Sequence, residues 1–285
     1  MTTLFPVKPN PLAAPFLKWA GGKRQLVPEL KKHLPADKDI KTYIEPFVGG
    51  GAMLFALQPS RAVVNDSNSE LINVYQAIKD SPKALMDALQ QHLNTSKHYY
   101  KVRELDRSES YATMSPVERA ARFIFLNKTC FNGLFRVNAQ GFFNVPYGYY
   151  KNPQYQEHSK ITAVSAYLKK NDVTISIGDY ARTLAYANKG AFFYLDPPYA
   201  PVSQTSNFTG YTPSGFSTEE QERLRNFCRE LDKKGARFML SNSNSPLIRE
   251  LYNEFNIRLV TAQRHIAAQA ERRGIVEEVV VTNYS

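Results

Sequence analysis

Apolar residues fall into two patterns along this 285-residue chain. Short runs rich in Val, Ile, Phe and Tyr read as strands: Thr42 to Phe47, Ala62 to Val64, Val173 to Ile177 and Ala191 to Leu195, then Arg237 to Ser241, Ile257 to Thr261 and Glu278 to Asn283. Between them apolar positions recur at helical spacing: Leu26, Val27 and Leu30 within Gln25 to His33, then Ala52 to Leu57, Lys160 to Leu168, Thr218 to Lys233 and Pro246 to Phe255. Strands alternating with helices predict an α/β fold with a largely parallel sheet. One stretch departs from this alternation. From Ser67 to Thr129 the pattern is helical, carried by Leu71, Ile72, Tyr75 and Ile78, by Leu85, Ala88 and Leu89, and by Ala120 to Leu126. Phe131 to Asn138 and Phe142 to Gly148 follow as two β-prone runs around Gln140-Gly141, a hairpin signal. The chain therefore divides into a sheet-building part, residues 1–66 plus 160–285, and an inserted helical and hairpin subdomain, residues 67–159. No internal repeat, low-complexity tract or inter-domain linker interrupts it.

Chemistry gathers where the predicted strands end. Ala191 to Leu195 delivers Asp196-Pro197-Pro198-Tyr199 to the carboxyl edge of the sheet, where open α/β sheets bind ligands. Two prolines stiffen the backbone and leave their carbonyls free to accept hydrogen bonds. A carboxylate, a fixed carbonyl and an aromatic ring can together hold a planar group bearing an NH2, such as adenine. Taken alone, the tetrapeptide is equally compatible with an ordinary turn. Thr42 to Phe47 runs into Val48-Gly49-Gly50-Gly51 and then a helix, the first ligand-cradling unit of a Rossmann-like sheet. Leu54 replaces the third glycine of the dinucleotide fingerprint, so a dinucleotide fits poorly. Asp66, after the second strand, stands where an acidic residue takes ribose hydroxyls, and Gly178-Asp179 feeds the same edge again. Near the start, Lys18-Trp19-Ala20-Gly21-Gly22-Lys23 makes a tight turn into a helix. Lys23 there is either a surface lysine or a group beside a ligand.

Charge changes the picture modestly. Against 26 Asp+Glu stand 36 Lys+Arg, a net +10 that favours a polyanionic partner without requiring one. Lys97, Lys101, Arg103, Arg107, Arg119, Arg122 and Lys128 punctuate the helical insertion, mostly as a solvated face. Arg264, His265, Arg272 and Arg273 form a basic connection able to touch phosphate. Ala200 to Gly215, with Phe208 and Tyr211, reads as a mobile loop over the site. A two-stranded ribbon fits a DNA major groove, and Arg136 on it is a natural guanine reader. As the bland alternative, the hairpin is a structural arm. Cys130 and Cys228 match no metal-ligand spacing and read as free thiols of a reducing compartment; no metal is expected. No apolar run approaches membrane-spanning length and the N-terminus carries no signal-like segment, so a cytoplasmic location and no membrane contact are expected.

Glu45-Pro46-Phe47 before the glycines resembles the first motif of S-adenosylmethionine-dependent methyltransferases, and Asp196 to Tyr199 resembles their catalytic tetrapeptide. With Lys18 to Lys23 and the hairpin, the chain from Phe16 to Tyr284 resembles the Dam family of adenine-N6 DNA methyltransferases, alpha group, closest to the DpnM-type enzymes that modify GATC. The resemblance implies a Rossmann-like class I methyltransferase sheet with an inserted helical plus β-hairpin DNA-recognition subdomain. It implies that Trp19, Lys23, Asp66 and Asp196 contact S-adenosylmethionine, with Glu45, Phe47, Gly49 and Asp179 in its pocket. It places Lys18 and Tyr150 at the first guanine and Phe131 in the gap left by a flipped base, where some members carry Tyr. Asn132 would face the orphan thymine, Leu134 and Pro146 the thymine step, and Arg136 the outer guanine. Asp196, Pro197, Pro198 and Tyr199 would be catalytic, with no covalent enzyme intermediate. Double-stranded DNA is the implied partner, and a cognate restriction endonuclease a possible companion in the same system without direct contact. Methylation of RNA, of cytosine N4 or of a protein glutamine, and a catalytically dead DNA-binding scaffold, are the rival readings.

Overall fold

In a computed structural model the chain is described at residues 4–6, 8–19, 21–36, 40–201, 216–263 and 275–285. Phe208, Tyr211, Arg264, His265, Arg272 and Arg273, with residues 202–215 of the loop and 264–274 of the basic connection, lie outside the described residues. Each predicted strand forms: β1 (Thr42–Glu45), β2 (Arg61–Asp66), β3 (Asp172–Ile177), β4 (Ala191–Leu195), β5 (Arg237–Ser243), β6 (Asn256–Gln263) and β7 (Ile275–Thr282). They build one seven-stranded sheet in the order β3-β2-β1-β4-β5-β7-β6. β1 to β5 pair in parallel, while β7 runs antiparallel between β5 and β6. The strand order reverses between β1 and β4, so a crevice opens there beyond their carboxyl ends.

Alternate residues of each central strand serve opposite faces, and both faces are covered. Tyr43, Val64, Phe192, Tyr194, Met239 and Val280 join one core. It includes Met53 and Leu54 of α2 (Ala52–Leu57), Leu71 and Tyr75 of α3 (Ser69–Asp80), and Val164 and Leu168 of the later helix His158–Lys170. Ile44, Val63, Phe193, Leu195, Phe238, Leu240, Val279 and Val281 join the other, under Leu224, Phe227 and Leu231 of the helix Thr218–Lys233 and Ile248 of the helix Pro246–Leu251. Burial on both faces is why these strands read as continuous apolar runs.

The stretch from Ser69 to Thr129 is largely helical, as its apolar spacing predicts. α4 (Pro82–Gln90) and α5 (Ser96–Glu104) pack with α3 around α6 (Pro116–Thr129), which starts at a Ser115–Glu118 capping box and is buried from Ala120 to Thr129. α3 also touches β2 and β3, so this helical stretch is packed on the sheet. In chain order the remaining helices are α7 (His158–Lys170), α8 (Thr218–Lys233) and α9 (Pro246–Leu251); the first, α1, is only Val27–Lys31. The hairpin differs from a regular ribbon. Its arms pair only at the bridges Cys130–Tyr147 and Val137–Phe143. Phe131–Gly133 curls into a 3-10 turn with Asn132 at φ 54° and Gly133 at φ 62°, and Pro146 has no N–H to give a ladder.

Candidate active site and nucleic-acid interface

β4 delivers Asp196 into the crevice with its side chain 21% exposed, and Lys23 meets it there. Lys23 is buried; its Nζ lies 2.8 Å from Asp196 Oδ1, donates to the Gly21 carbonyl, and sits 4.3 Å from the centre of the Tyr199 ring. Burial pushes the Asp196 carboxyl up to about 6; the Lys23 ammonium opposes that rise and the Glu278 carboxylate adds to it. Lys23 is therefore not a surface lysine but a buried cation beside Asp196. The tetrapeptide is held rigidly. Gln221 donates to the Pro198 carbonyl, the Tyr199 hydroxyl donates to Glu278 at 2.6 Å, and Asn242 accepts from the Ala200 N–H. Asn242 in turn donates to Gln221, and Ser243 Oγ donates to the Ala200 carbonyl. The Pro198 carbonyl is thus occupied, whereas no described residue donates to that of Pro197.

Across the crevice, the chain leaving β1 turns through Gly49 and Gly51, both at positive φ. Trp19 lies against this turn so closely that a Cβ on Gly49 would sit 2.8 Å from its indole, which itself stacks toward Phe123 and Phe135. Tyr75 donates to the Gly49 carbonyl and the Gly49 N–H donates to Asp66 Oδ2, while Asn68 N–H donates to Oδ1. Burial raises the Asp66 carboxyl, and backbone N–H groups hold it partly down. Buried Asn65 donates to the Pro46 and Gly178 carbonyls, so the ends of β1, β2 and β3 are laced together. Glu45 is buried at the end of β1, accepts from the Tyr43 hydroxyl, and is pushed up to about 8 by burial, with Asp196 contributing. Phe47 packs 5.0 Å from Tyr180. Asp179 reaches the same edge, but it is exposed and its carboxylate is gripped by Arg223 at 2.8 Å and 2.9 Å; partial burial raises its carboxyl, and the Arg223 bonds with the Ala181 N–H outweigh that and lower it.

A second cluster forms where α6 ends. Asn127 accepts from the Lys18 N–H and donates to the Lys18 and Gly133 carbonyls, clamping the start of the chain against the 3-10 turn. Lys18 Nζ lies 3.9 Å from the centre of the Tyr150 ring, and the Tyr150 hydroxyl accepts from the Asn132 N–H. Phe131 is 48% exposed, large for an aromatic ring, and Pro146 is exposed beside it. Arg136 is exposed with its Nε on Asn144 Oδ1 at 2.7 Å, whereas Leu134 leans into the core and is only half accessible. Lys18, Phe131, Asn132 and Tyr150 are thus brought together, with Arg136 farther out on the hairpin. Sequence reasoning missed Glu278, Gln221, Asn242, Asn65, Asn127 and Arg223. For Asn65 and Asn127 a signal existed: each is the polar residue that closes an apolar run, Ala62 to Val64 and Phe123 to Leu126.

The family model described as D12 class N6 adenine-specific DNA methyltransferase matches residues 19–266. The type II methyltransferase M1.LlaDCHI of Lactococcus lactis subsp. cremoris is 47% identical over 272 residues, 95% of this chain and 95% of its own. The type II methyltransferase M.MjaIII of Methanocaldococcus jannaschii is 43% identical over 289 residues, covering 95% of this chain and 99% of its own. The DNA adenine methylase of Escherichia coli (strain K12) is 34% identical over 269 residues, 93% of each chain. Sheet order, the carboxylate on its rim and these matches agree: the chain belongs to the D12 class of N6 adenine-specific DNA methyltransferases.

Proposed function

We propose that this adenine-N6 DNA methyltransferase modifies GATC in duplex DNA, using S-adenosylmethionine and a base extruded from the helix. One observation carries the reading: Asp196, paired with buried Lys23, and a Pro197 carbonyl to which no described residue donates lie together at the carboxyl end of β4, the neighbour of the strand that leads into the Gly49 turn. Stacked adenine cannot reach such a rim, so extrusion at a cost of a few kcal/mol is required. The crevice fits the cofactor's chemistry. Asp66 supplies acceptors for ribose hydroxyls, Trp19 a flat apolar wall, Gly49 a surface without Cβ, and Glu45 a carboxylate for an ammonium group. Phe47 and Asp179 would border the base end. Bound S-adenosylmethionine supplies an electrophilic methyl group on sulfur.

The protein's own groups account for the rest. Adenine's amino nitrogen is a weak nucleophile because its lone pair is delocalised into the ring. Acceptance of its two N–H groups by Asp196 and the Pro197 carbonyl favours a pyramidal nitrogen, and the Tyr199 ring, fixed through Glu278, stacks on the base. Lys23 keeps Asp196 ionised enough to accept. Orientation supplies most of the acceleration. On the other cluster, Lys18 with Tyr150 would read the first guanine, Phe131 and Asn132 the vacated position, Leu134 and Pro146 the thymine step, and Arg136 the outer guanine. Residues 67–159 are proposed as the recognition subdomain of a catalytic domain formed by residues 1–66 and 160–285. A cognate restriction endonuclease is compatible with the type II names of two relatives and needs no contact with this chain.

Asp196→Ala is expected to abolish methyl transfer while leaving duplex binding largely intact. Substantial turnover by that variant, measured with labelled cofactor, would remove Asp196 from the mechanism. Plasmid treated with the wild-type enzyme should resist a nuclease blocked by GATC methylation. Cutting without protection, despite incorporated label, would place the activity at another sequence.

A further inference from the structure

Arg122 is the charged residue buried deepest in the insertion, and the chemistry above does not use it. From α6 its guanidinium donates to the Val102 and Arg103 carbonyls at the end of α5 and meets Asp106 Oδ2 at 2.9 Å. Asp106 lies just beyond α5, and the same Oδ2 accepts the Phe143 N–H at 2.8 Å. The next residue completes the grip: Arg107 Nη2 donates to the Phe143 carbonyl at 3.0 Å while its Nη1 pairs with Asp106 Oδ1 at 2.7 Å. Arg107 also covers the Phe142 ring, 5.3 Å from its centre. Two consecutive side chains thus give Phe143 what a neighbouring strand would give it, one acceptor and one donor.

Phe143 is the point on which the hairpin's register turns. It bridges Val137 on the outgoing arm. The following residue, Asn144, donates its N–H to the Arg136 carbonyl and accepts from Arg136 Nε at 2.7 Å. Since the arms lack a continuous ladder, these few bonds fix where Arg136 stands. We propose that Asp106 and Arg107, backed by buried Arg122, are positioning residues for sequence specificity. They set the hairpin in the register that presents a base-reading side chain. The inference rests on the reading of Arg136 as a guanine reader.

The experiment compares methyl transfer to a GATC duplex with transfer to duplexes altered at one base pair each, for wild type, Arg107→Ala, Arg136→Ala and the double variant. A merely structural loss lowers all duplexes by one factor and leaves their ratios unchanged. The positioning role predicts that Arg107→Ala lowers discrimination roughly tenfold at a single base pair, the one relaxed by Arg136→Ala. The double variant should discriminate no worse than Arg136→Ala alone, since a displaced reader has nothing left to lose. Arg107→Met keeps the stem against Phe142 and tests the same loss should the alanine variant fold poorly. Arg107→Lys, still able to donate to the Phe143 carbonyl, should recover part of the discrimination. If Arg136→Ala relaxes one position and neither Arg107→Ala nor Arg107→Met does, the positioning role is wrong and the guanine reader stands. If Arg107→Ala relaxes a position that Arg136→Ala leaves intact, the clamp stands and Arg136 is not the reader it serves. Unchanged ratios in every variant overturn both.

Discussion

At the scale of single residues, Asp196 is a carboxylate set between opposing neighbours. Burial and Glu278 favour its proton, Lys23 opposes it, and the result near 6 lies within reach of ordinary assay conditions. Only the ionised form accepts both in-plane and out-of-plane donors without competing protons, so methyl transfer should fall as pH drops through about 6. Removing the Lys23 charge takes away the stabilising neighbour; Lys23→Met should move the acid limb of the kcat profile to higher pH. Glu278→Gln, which keeps an acceptor for Tyr199, should move it lower. The paired pH–rate profiles check the signs, and a limb that stays in place in both variants would mean another group governs it. Of these residues the sequence displayed Asp196 and suggested Lys23. It could not display Glu278, which lies 79 residues from Tyr199 and arrives on an antiparallel strand. A side chain's partner at such separation is set by the pairing of whole strands, which no local pattern encodes.

At the scale of elements, the central strands were legible because double-sided burial writes itself as apolar runs, and the glycine turn because glycine tolerates its geometry best. Gly49 shows both demands at once: φ of 47° and an indole where a Cβ would go. Gly49→Ala should cost about 1–2 kcal/mol from the backbone alone. Displacement of Trp19 would add to that, and the KM for the cofactor should rise more than kcat falls. Steady-state titration separates the two constants; an unchanged KM would show that Trp19 is not part of the cofactor wall. The hairpin was only partly legible. Its β-prone runs are real, yet a positive-φ turn at Asn132-Gly133 and Pro146 in the return arm leave two bridges in place of a ladder. What holds the return arm in place of a ladder comes from Asp106, which the sequence pattern did not single out, and from Arg107, which the charge pattern assigned to a solvated face.

At the scale of the whole molecule, ionisation of the site works against the fold. Glu45 is buried and its carboxyl is raised from an ordinary value of 4.5 to about 8, largely by desolvation. A carboxyl whose folded value exceeds its unfolded one stabilises the fold fully below the unfolded value, and that stabilisation is lost as pH rises through the folded value. Asp196 acts in the same direction over a lower window, from 3.8 to about 6. Raising pH from about 5 to 8 should therefore lower the unfolding free energy by up to a few kcal/mol. A second effect opposes it: the chain carries a net +10, and self-repulsion eases as protons leave. Glu45→Gln separates the two. It preserves an acceptor for the Tyr43 hydroxyl and removes the titration, so its melting temperature should decline less across pH 5 to 8 than that of the wild type. Parallel slopes in the two proteins would mean that Glu45 is already ionised in the folded state at pH 5. A buried acid retained at such a position costs stability that an apolar residue would not, which makes sense if a cation arriving in the crevice takes over the role of the proton.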